Sequence, residues 1–487
     1  MPSPTISSIT DRRVGIFGFG AEGRSVLAVL SRRKRDGAQD DSRRKRDRAQ
    51  DDRARAGPPP SPAPLVLLDD PPAPGSVPPG VSWVAGEDLP RALDHIDVLV
   101  RSPGIRLSHP VLAAARARGI PVTTSSNLYL AEARAHSLPV VAVTGSKGKS
   151  TTATLLHRLL AAAGREAVLG GNIGVPPLDL LDEALRRRAV SVLELSSYQC
   201  ADLEAGPEVA VFLSLFPEHM NWHGGVAAYY AAKLELARRQ GRDDLTLFNA
   251  GDAELAGRVP LGPARHEAFQ AASGLHFADG WFRDGERKLF SDREMRLRGR
   301  HNRINAIGAL AAARHFGAAP EHLAQVLATF PGLPHRLEDL GCHAGIRWVN
   351  DSIATAPQAS VAALEAFAGE VDTLIAGGSD RGFDFAVLAE ALPASGVRNV
   401  ILLPPGGEQI RAAIAAITAA AASRSAAPAT HLQVIGARDL ADAVEQAARL
   451  TASGRICLLS PGSPSYGLFR DFQDRGDQFR RLVEGLE

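Results

Sequence analysis

The sequence predicts an α/β protein of three doubly wound units, with Rossmann-like N- and C-terminal units flanking a central P-loop ATPase-like unit. Three observations carry this reading. The chain has 487 residues, more than one hydrophobic core usually organises. Two short apolar strands, over 14–17 and 140–143, each run into a glycine-rich turn and then a helical pattern. From residue 348 onward, apolar strands alternate with alanine-rich helical stretches.

Composition narrows the class. Lys plus Arg number 55 against 54 Asp plus Glu, a net charge of +1 that matches neither nucleic acid nor an anionic membrane surface. Hydrophobic residues make up 45%, enough for sizeable cores. No apolar run reaches the length of a membrane span, and residues 1–10 lack the pattern of a signal peptide. Cys200, Cys342 and Cys457 have no metal-ligand spacing and no paired framework, so the expected compartment is the reducing cytoplasm and each reads as a core residue. The reading is of a cytoplasmic monomer without nucleic-acid or membrane partners.

In the first unit, strand 14–17 enters Gly18-Phe19-Gly20-Ala21-Glu22-Gly23 and a helix through Leu30. Bare glycines there admit a phosphate to the helix N-terminus, although the same string also serves as a tight strand-to-helix turn. Residues 31–41 (SRRKRDGAQDD) and 42–52 (SRRKRDRAQDD) are near-duplicates that run into a proline-rich stretch. With almost no apolar side chains, residues 31–62 read as a disordered, solvated insertion. Strands follow at 65–68, ending in Asp69-Asp70, and at 98–100, before the Ser102-Pro103-Gly104 turn. A linker near 135–139 closes the unit, giving a first domain of 1–138.

The second unit, 139–334, has strands at 140–143, 191–195 and 209–215 and a closing helix over about 302–316. The stiff segment Phe330-Pro331-Gly332-Leu333-Pro334 separates it from a third unit, 335–487, with strands at 348–349, 373–376, 400–403, 433–435 and 456–459.

The densest chemistry lies in Thr144-Gly145-Ser146-Lys147-Gly148-Lys149-Ser150-Thr151, between a strand and a helix. Backbone N–H groups of such a loop converge on phosphate, Lys149 reaches the terminal phosphates, and the Ser150 or Thr151 hydroxyl can ligate Mg²⁺. Val143 stands where the common P-loop has its first glycine. Glu194 and His219 each follow an apolar strand, and the carboxyl edge of a parallel sheet brings such residues to the phosphate loop. Taken singly, Glu194 could be a helix cap and His219 a core histidine. By spacing alone, Lys233 reads as a surface lysine.

In order and across nearly the whole chain, these motifs resemble the Mur ligases, most closely the glutamate-adding MurD type. The residues that carry the resemblance are Thr144 to Thr151, Gly171-Asn172-Ile173-Gly174, Glu194-Leu-Ser-Ser-Tyr-Gln199, Glu218-His219-Met220, Gly299-Arg-His-Asn302, Gly332-Leu-Pro-His-Arg336, Asn350-Asp351-Ser352 and Leu459-Ser-Pro461.

The resemblance implies an ATP-dependent peptide ligase of the three-domain Mur architecture, joining glutamate to UDP-N-acetylmuramoyl-L-alanine through an acyl phosphate in peptidoglycan precursor synthesis. It implies a uridylyl site at Gly18, Gly20, Gly23, Asp69 or Asp70, Ser102 and Asn172. ATP would meet Gly145 to Thr151 together with Asn302, Asn305, Arg336 and Asp351. Mg²⁺ would be held by Ser150, Glu194, His219 and a carbamylated Lys233, which overturns the surface-lysine reading. Lys149, Glu194, His219 and Lys233 would be the catalytic set. Thr355, Arg381, Ser465 and Phe472 would surround the incoming amino acid, with closure about 331–334 keeping water from the acyl phosphate.

Three positions depart from the common pattern of that type: Ser146-Lys147 replaces Thr-Asn, Asn221 replaces Asp, and Ile353 replaces a lysine. The last removes a cation beside the amino-acid site and leans the reading towards L-glutamate, with the ordinary D-glutamate enzyme as the alternative. A folylpolyglutamate synthase would lack the first unit. A silent nucleotide-binding regulator would not need Lys149, Glu194, His219 and Lys233 together, and a dehydrogenase would need a nicotinamide motif that is not found.

Overall fold

Val14, Ile16 and Phe17 carry no polar side-chain group, and β1 (Val14–Phe17) is wholly buried at the centre of the first sheet. The computed structural model describes residues 4–49, 65–69, 81–297, 299–367, 369–379, 383–422, 432–465 and 467–486. Around β1 lie β2 (Leu65–Asp69), β3 (Val81–Ala85), β4 (Val98–Arg101) and β5 (Val122–Thr124), in the order β3-β2-β1-β4-β5 and all parallel. The strand order reverses at β1, so the crevice beyond β1 and β4 is where such a sheet takes a ligand.

The second sheet contains β6 (Val140–Thr144), β7 (Ala167–Gly171), β8 (Val190–Glu194), β9 (Val209–Phe212), β10 (Leu245–Asn249) and β11 (Arg265–Phe269). Its order is β11-β10-β9-β6-β8-β7, again all parallel. With β8 on one side of β6 and β9 on the other, the phosphate loop, Glu194 and the segment leading to His219 all leave one edge. Beside it, β12 (Leu275–Ala278), β13 (Trp281–Asp284) and β14 (Arg287–Ser291) form a small antiparallel sheet.

The third sheet contains β15 (Glu338–His343), β16 (Ile346–Asn350), β17 (Val371–Gly377), β18 (Asn399–Leu403), β19 (Gln433–Gly436) and β20 (Ile456–Leu459), in the order β15-β16-β20-β17-β18-β19. Only β15 is antiparallel to its neighbour.

Two compact units result: Met1–Glu294 with Arg300–Val326, and Met295–Gly299 with Leu327–Glu487. The first unit holds two sheets because they share a core. Helix Ser125–Ala135 buries Leu128, Tyr129, Leu130 and Ala133 in a cluster that also contains Ile16 of β1 and Ala142 of β6. The Tyr129 hydroxyl meets Ser191 Oγ of β8 at 2.6 Å.

Sequence reading places no strand at β3, β5, β7, β10 to β14 or β15. Several of these, such as Arg-His-Glu-Ala-Phe in β11 and Ala-Val-Leu-Gly-Gly in β7, are edge strands with charged or glycine-rich sequences, so no continuous apolar run marks them. Cys342, expected in a core, is exposed on edge strand β15, whereas Cys200 and Cys457 are buried.

The charged duplication also corrects an expectation. Helix Ala21–Ala49 runs on through most of it, rather than stopping at Leu30. Between Ser31 and Ala49 there is no proline and no β-branched residue, and Arg, Lys, Gln and Ala propagate a helix already nucleated on the sheet. Arg32 and Arg33 pair with Asp182 at 2.5 and 3.1 Å, and Lys34 donates to the Arg12 carbonyl at 3.0 Å. The rest of the insertion, 50–64, lies outside the described residues. Deleting 37–60 behind a short Gly/Ser bridge should therefore leave kcat and both substrate KM values within about twofold, because the removed stretch has no apolar residue beyond alanine and proline. Starting the deletion at Arg32 should also lower the melting temperature, through loss of surface pairs worth about 1 kcal/mol or less each. Thermal melts and steady-state kinetics of the two deletions check both outcomes.

Candidate active site

β6 ends at Thr144, and the loop that follows turns into helix Lys149–Ala162. Gly148 is the N-cap, at φ +88°, and a Cβ there would lie 2.2 Å from Asn305 Oδ1, so the turn requires glycine. No side chain caps this helix, which leaves its first N–H groups for an anion. Ser150 at its start is half-buried, while Thr151 is buried. Asn302 and Asn305, from helix Arg300–His315, lie buried behind the loop, with Asn305 Nδ2 donating to Asn302 Oδ1 at 3.2 Å.

Two lysines converge on the loop. Lys149 Nζ donates to the carbonyls of Gly145 and Ser146 at 3.1 and 3.0 Å, and Lys233 Nζ donates to the same Gly145 carbonyl at 2.8 Å. Lys233 is not on the surface. It sits in helix Val226–Arg238 at 1% exposure, 4.9 Å from the centre of the Tyr229 ring, with no carboxylate in ion-pair range among the described residues. Burial, reinforced by the Lys149 charge, pushes its pKa down to about 7.

Ser146, where threonine is usual, is 1% exposed and fixes the loop. It donates through Oγ to the Phe216 carbonyl at 2.8 Å and accepts from Tyr229 Oη at 3.0 Å. Lys147 points outward to Glu218, 2.6 Å away.

Glu194 closes β8 at 1% exposure. Its Oε1 accepts from Asn172 Nδ2 at 2.8 Å, while Oε2 is buried without a partner among the described residues. An orphaned carboxylate oxygen is costly unless something cationic completes it. His219 takes a left-handed backbone conformation (φ +56°) at the start of the short helix Met220–His223. Its ring centre lies 5.1 Å from that of Tyr198, and desolvation holds its pKa below the usual histidine value. No three His, Cys, Asp or Glu side chains cluster as a ready cation site among the described residues. The donor set nonetheless fits Mg²⁺: the Ser150 hydroxyl, the Glu194 carboxylate, His219, and the two oxygens that carbamylation would give Lys233.

At the switch point of the first sheet, Gly18 turns at φ +91°, and a Cβ on it would come within 2.9 Å of Ser102 Cβ. Ser102 Oγ donates to the Gly18 carbonyl at 2.5 Å, so this serine braces the turn. A Cβ on Gly23 would strike the Gly18 carbonyl at 2.1 Å, whereas Gly20 faces open space. Asp69 ends β2, and Asp70 lies outside the described residues.

The remaining predicted residues are in the second unit. Asp351 is buried, accepts from Ser460 Oγ at 2.8 Å and from the Leu337 N–H at 3.2 Å, and is pushed up to about 7 by burial. Arg336 keeps a buried Nε without a partner among the described residues. Ser465 is buried, Thr355 and Phe472 are half-buried, and the Phe472 carbonyl accepts from Ser352 Oγ at 2.7 Å. Arg381 lies outside the described residues. Sequence reasoning missed Arg475, fully buried and bonded to Ser352 Oγ, the Ser352 carbonyl and the Ser463 carbonyl at 3.0, 2.8 and 3.1 Å. It also missed Arg101. Arg475 sits within a helix, away from any glycine-rich turn, whereas Arg101 ends β4 directly before the Ser102-Pro103-Gly104 turn, a strand-to-loop position that could have flagged it.

Residues 143–313 match the Mur ligase middle domain, and residues 335–462 match the Mur ligase glutamate ligase domain. The UDP-N-acetylmuramoyl-L-alanine–L-glutamate ligase of Micromonospora sp. is 37% identical over 98% of each chain, and that of Salinispora tropica matches to the same extent. The chain belongs to the Mur ligase family. A UDP-N-acetylmuramoylalanine–D-glutamate ligase from Symbiobacterium thermophilum is also similar to this Mur ligase, at 38% identity over 84% of this chain and 88% of that one.

Among solved structures, the UDP-N-acetylmuramate-alanine ligase of Thermotoga maritima superposes with a TM-score of 0.56 at 14% identity, covering 97% of this Mur ligase and 99% of that chain. E. coli FolC bound to ADP covers 74% of this chain and 93% of its own, at 18% identity with a TM-score of 0.52. These likenesses concern the fold, and the one with the alanine ligase extends over nearly all of this chain.

Proposed function

We propose that this Mur ligase uses ATP to join L-glutamate to UDP-N-acetylmuramoyl-L-alanine. The observation that carries the chemistry is the pair Lys149 and Lys233 on one loop carbonyl, in the same site as the unpartnered Glu194 oxygen. Such a constellation suits transfer of a phosphoryl group, where cations and hard-ion ligands offset charge on the moving oxygens. The names of the full-length relatives support the substrates.

In this reading the first sheet, up to about residue 138, binds the uridylyl substrate at the Gly18 turn and the Ser102 loop. Residues 139–334 bind ATP, and 335–487 bind the amino acid around Thr355, Arg381, Ser465 and Phe472. The alanyl carboxylate attacks the γ-phosphorus of ATP, the bond to ADP breaks, and the Lys149 ammonium and the open helix N–H groups neutralise charge on the transferring group. The product is an acyl phosphate. The glutamate amine attacks its carbonyl carbon, phosphate leaves with the C–O bond electrons, and the amine loses a proton to give the amide. Ser150, Glu194, His219 and carbamylated Lys233 would hold Mg²⁺, which when bound supplies positive charge to the phosphates.

The hand of the glutamate rests on Ile353. This half-buried residue occupies the position of the lysine usual in the D-glutamate type, and its N–H is tied to the His335 carbonyl at 3.0 Å. Inverting the stereocentre while the amine stays in line with the acyl phosphate moves at least one carboxylate, so the pocket's charges must be rearranged. The relatives from Micromonospora and Salinispora, named for L-glutamate, support this hand. The Symbiobacterium relative favours D-glutamate as the second reading. Steady-state phosphate release with each enantiomer decides between them: kcat/KM should favour L-glutamate by at least about a hundredfold, and a preference for D-glutamate would overturn the stereochemical assignment while leaving the ligase intact.

A further inference from the structure

Arg101 ends β4 with a side chain that is 0% exposed, an unusual place for a guanidinium. Every N–H it carries is used. Nε and Nη2 form a bidentate pair with Asp202 at 2.8 and 2.6 Å, and Nη2 also donates to the Tyr198 carbonyl at 3.1 Å. Nη1 faces the carbonyls of Ser102, Pro103 and Ile105 at 3.1, 3.1 and 2.8 Å. The one remaining carbonyl of that loop, on Gly104, accepts from Trp222 Nε1 at 3.2 Å.

All four consecutive carbonyls of the loop are therefore tied within the protein, three to Arg101 and one to Trp222. The backbone at Gly104 is left facing open space, where even an added Cβ would touch nothing within 4 Å. Of the loop's backbone donors, the Ser102 N–H is bonded to the Phe17 carbonyl and the Ile105 N–H to the Ser102 carbonyl, and Pro103 has none, so among the described residues the Gly104 N–H is the one this arrangement leaves to meet an anionic ligand. Both anchors come from the second sheet's site edge: Tyr198 and Asp202 lie just past Glu194, and Trp222 lies just past His219. Gln199 adds a third tie, donating through Nε2 to Glu22 Oε1 at 2.7 Å in the turn that contains Gly20 and Gly23.

We infer that Arg101, with Asp202 and Trp222, is a positioning residue that sets the Ser102–Ile105 loop for the diphosphate of the uridylyl substrate and registers it against the edge carrying Glu194 and His219. Its guanidinium is saturated and buried, so it acts through the loop and never touches the substrate. This inference rests on the uridylyl-site reading given above.

The test measures kcat and separate KM values for the uridylyl substrate and for ATP in wild type, Arg101→Met, Arg101→Lys and Trp222→Phe, with thermal melts alongside. Arg101→Met should raise the uridylyl KM by about tenfold or more while the ATP KM stays within about twofold. Arg101→Lys keeps the charge but not the fork and should recover part of that loss. Trp222→Phe removes one donor and should raise the same KM by about threefold. A purely structural role would lower the melting temperature and the active fraction, and so kcat, without separating the two KM values. Should Arg101→Met fail to fold, Arg101→Lys and Trp222→Phe carry the decision. An unchanged uridylyl KM in folded variants, or a parallel rise in the ATP KM, overturns the inference. A wild-type enzyme that does not turn over the uridylyl substrate would instead refute the proposed function.

Discussion

Lys149→Ala should cut ATP-dependent phosphate release by roughly a thousandfold, about 4 kcal/mol of transition-state stabilisation. Its ammonium is held on the Gly145 and Ser146 carbonyls at the head of an uncapped helix, so the charge is already placed at the loop as negative charge builds on the transferring oxygens. Binding of the uridylyl nucleotide should survive, because the Gly18 turn and the Ser102 brace belong to the first sheet, whereas this loop follows β6 of the second. Isothermal titration with the uridylyl substrate and a phosphate-release assay separate the two quantities. Release within tenfold of wild type would sink the assignment of the loop.

Lys233 should be carbamylated in the active enzyme, and Lys233→Met should lose activity by roughly a hundredfold or more. A buried ammonium with no ion-paired carboxylate among the described residues, and a second lysine on the same carbonyl, is unfavourable as a cation. With a pKa of about 7 against 10.5 in the unfolded chain, the folded state binds fewer protons between those values. The unmodified lysine therefore contributes stability that is full above pH 10.5 and is lost as pH falls to about 7. In that window the neutral amine is present to attack CO₂: an N–C bond forms, a proton leaves, and the side chain becomes an anion able to supply oxygen ligands. Turnover should accordingly fall in CO₂-depleted buffer near pH 7 and return with bicarbonate. Intact-mass measurement gives the direct check, since full activity in a chain lacking the added CO₂ would contradict the claim.

The phosphate loop, Glu194 and His219 were legible because their signals are local. Continuous apolar runs end in glycine or in a polar residue, and a parallel sheet has to gather such ends at one edge. The helical run from Ser31 to Ala49 was also written in local propensity, yet its high charge and low apolar content read as disorder until the preceding turns were seen packed on the sheet.

Other features depend on partners distant in sequence. Lys233 reads as a surface residue by spacing, and only the packing of helix Val226–Arg238 against the loop buries its amine. Arg101 closes an apolar strand much as a charge leaving for solvent would, and Asp202, 101 positions later, turns it into a buried hub. Edge strands such as β11 and β15 take their hydrogen bonds from neighbours and bury little of their own side chains, so their sequences need not be apolar. By itself the sequence determined the α/β class, the phosphate loop and the edge residues, because glycine turns and strand periodicity act within a few residues. Tertiary structure alone decided which charges lose their water and what they then bond, because burial and pairing depend on elements that the chain brings together only when it folds.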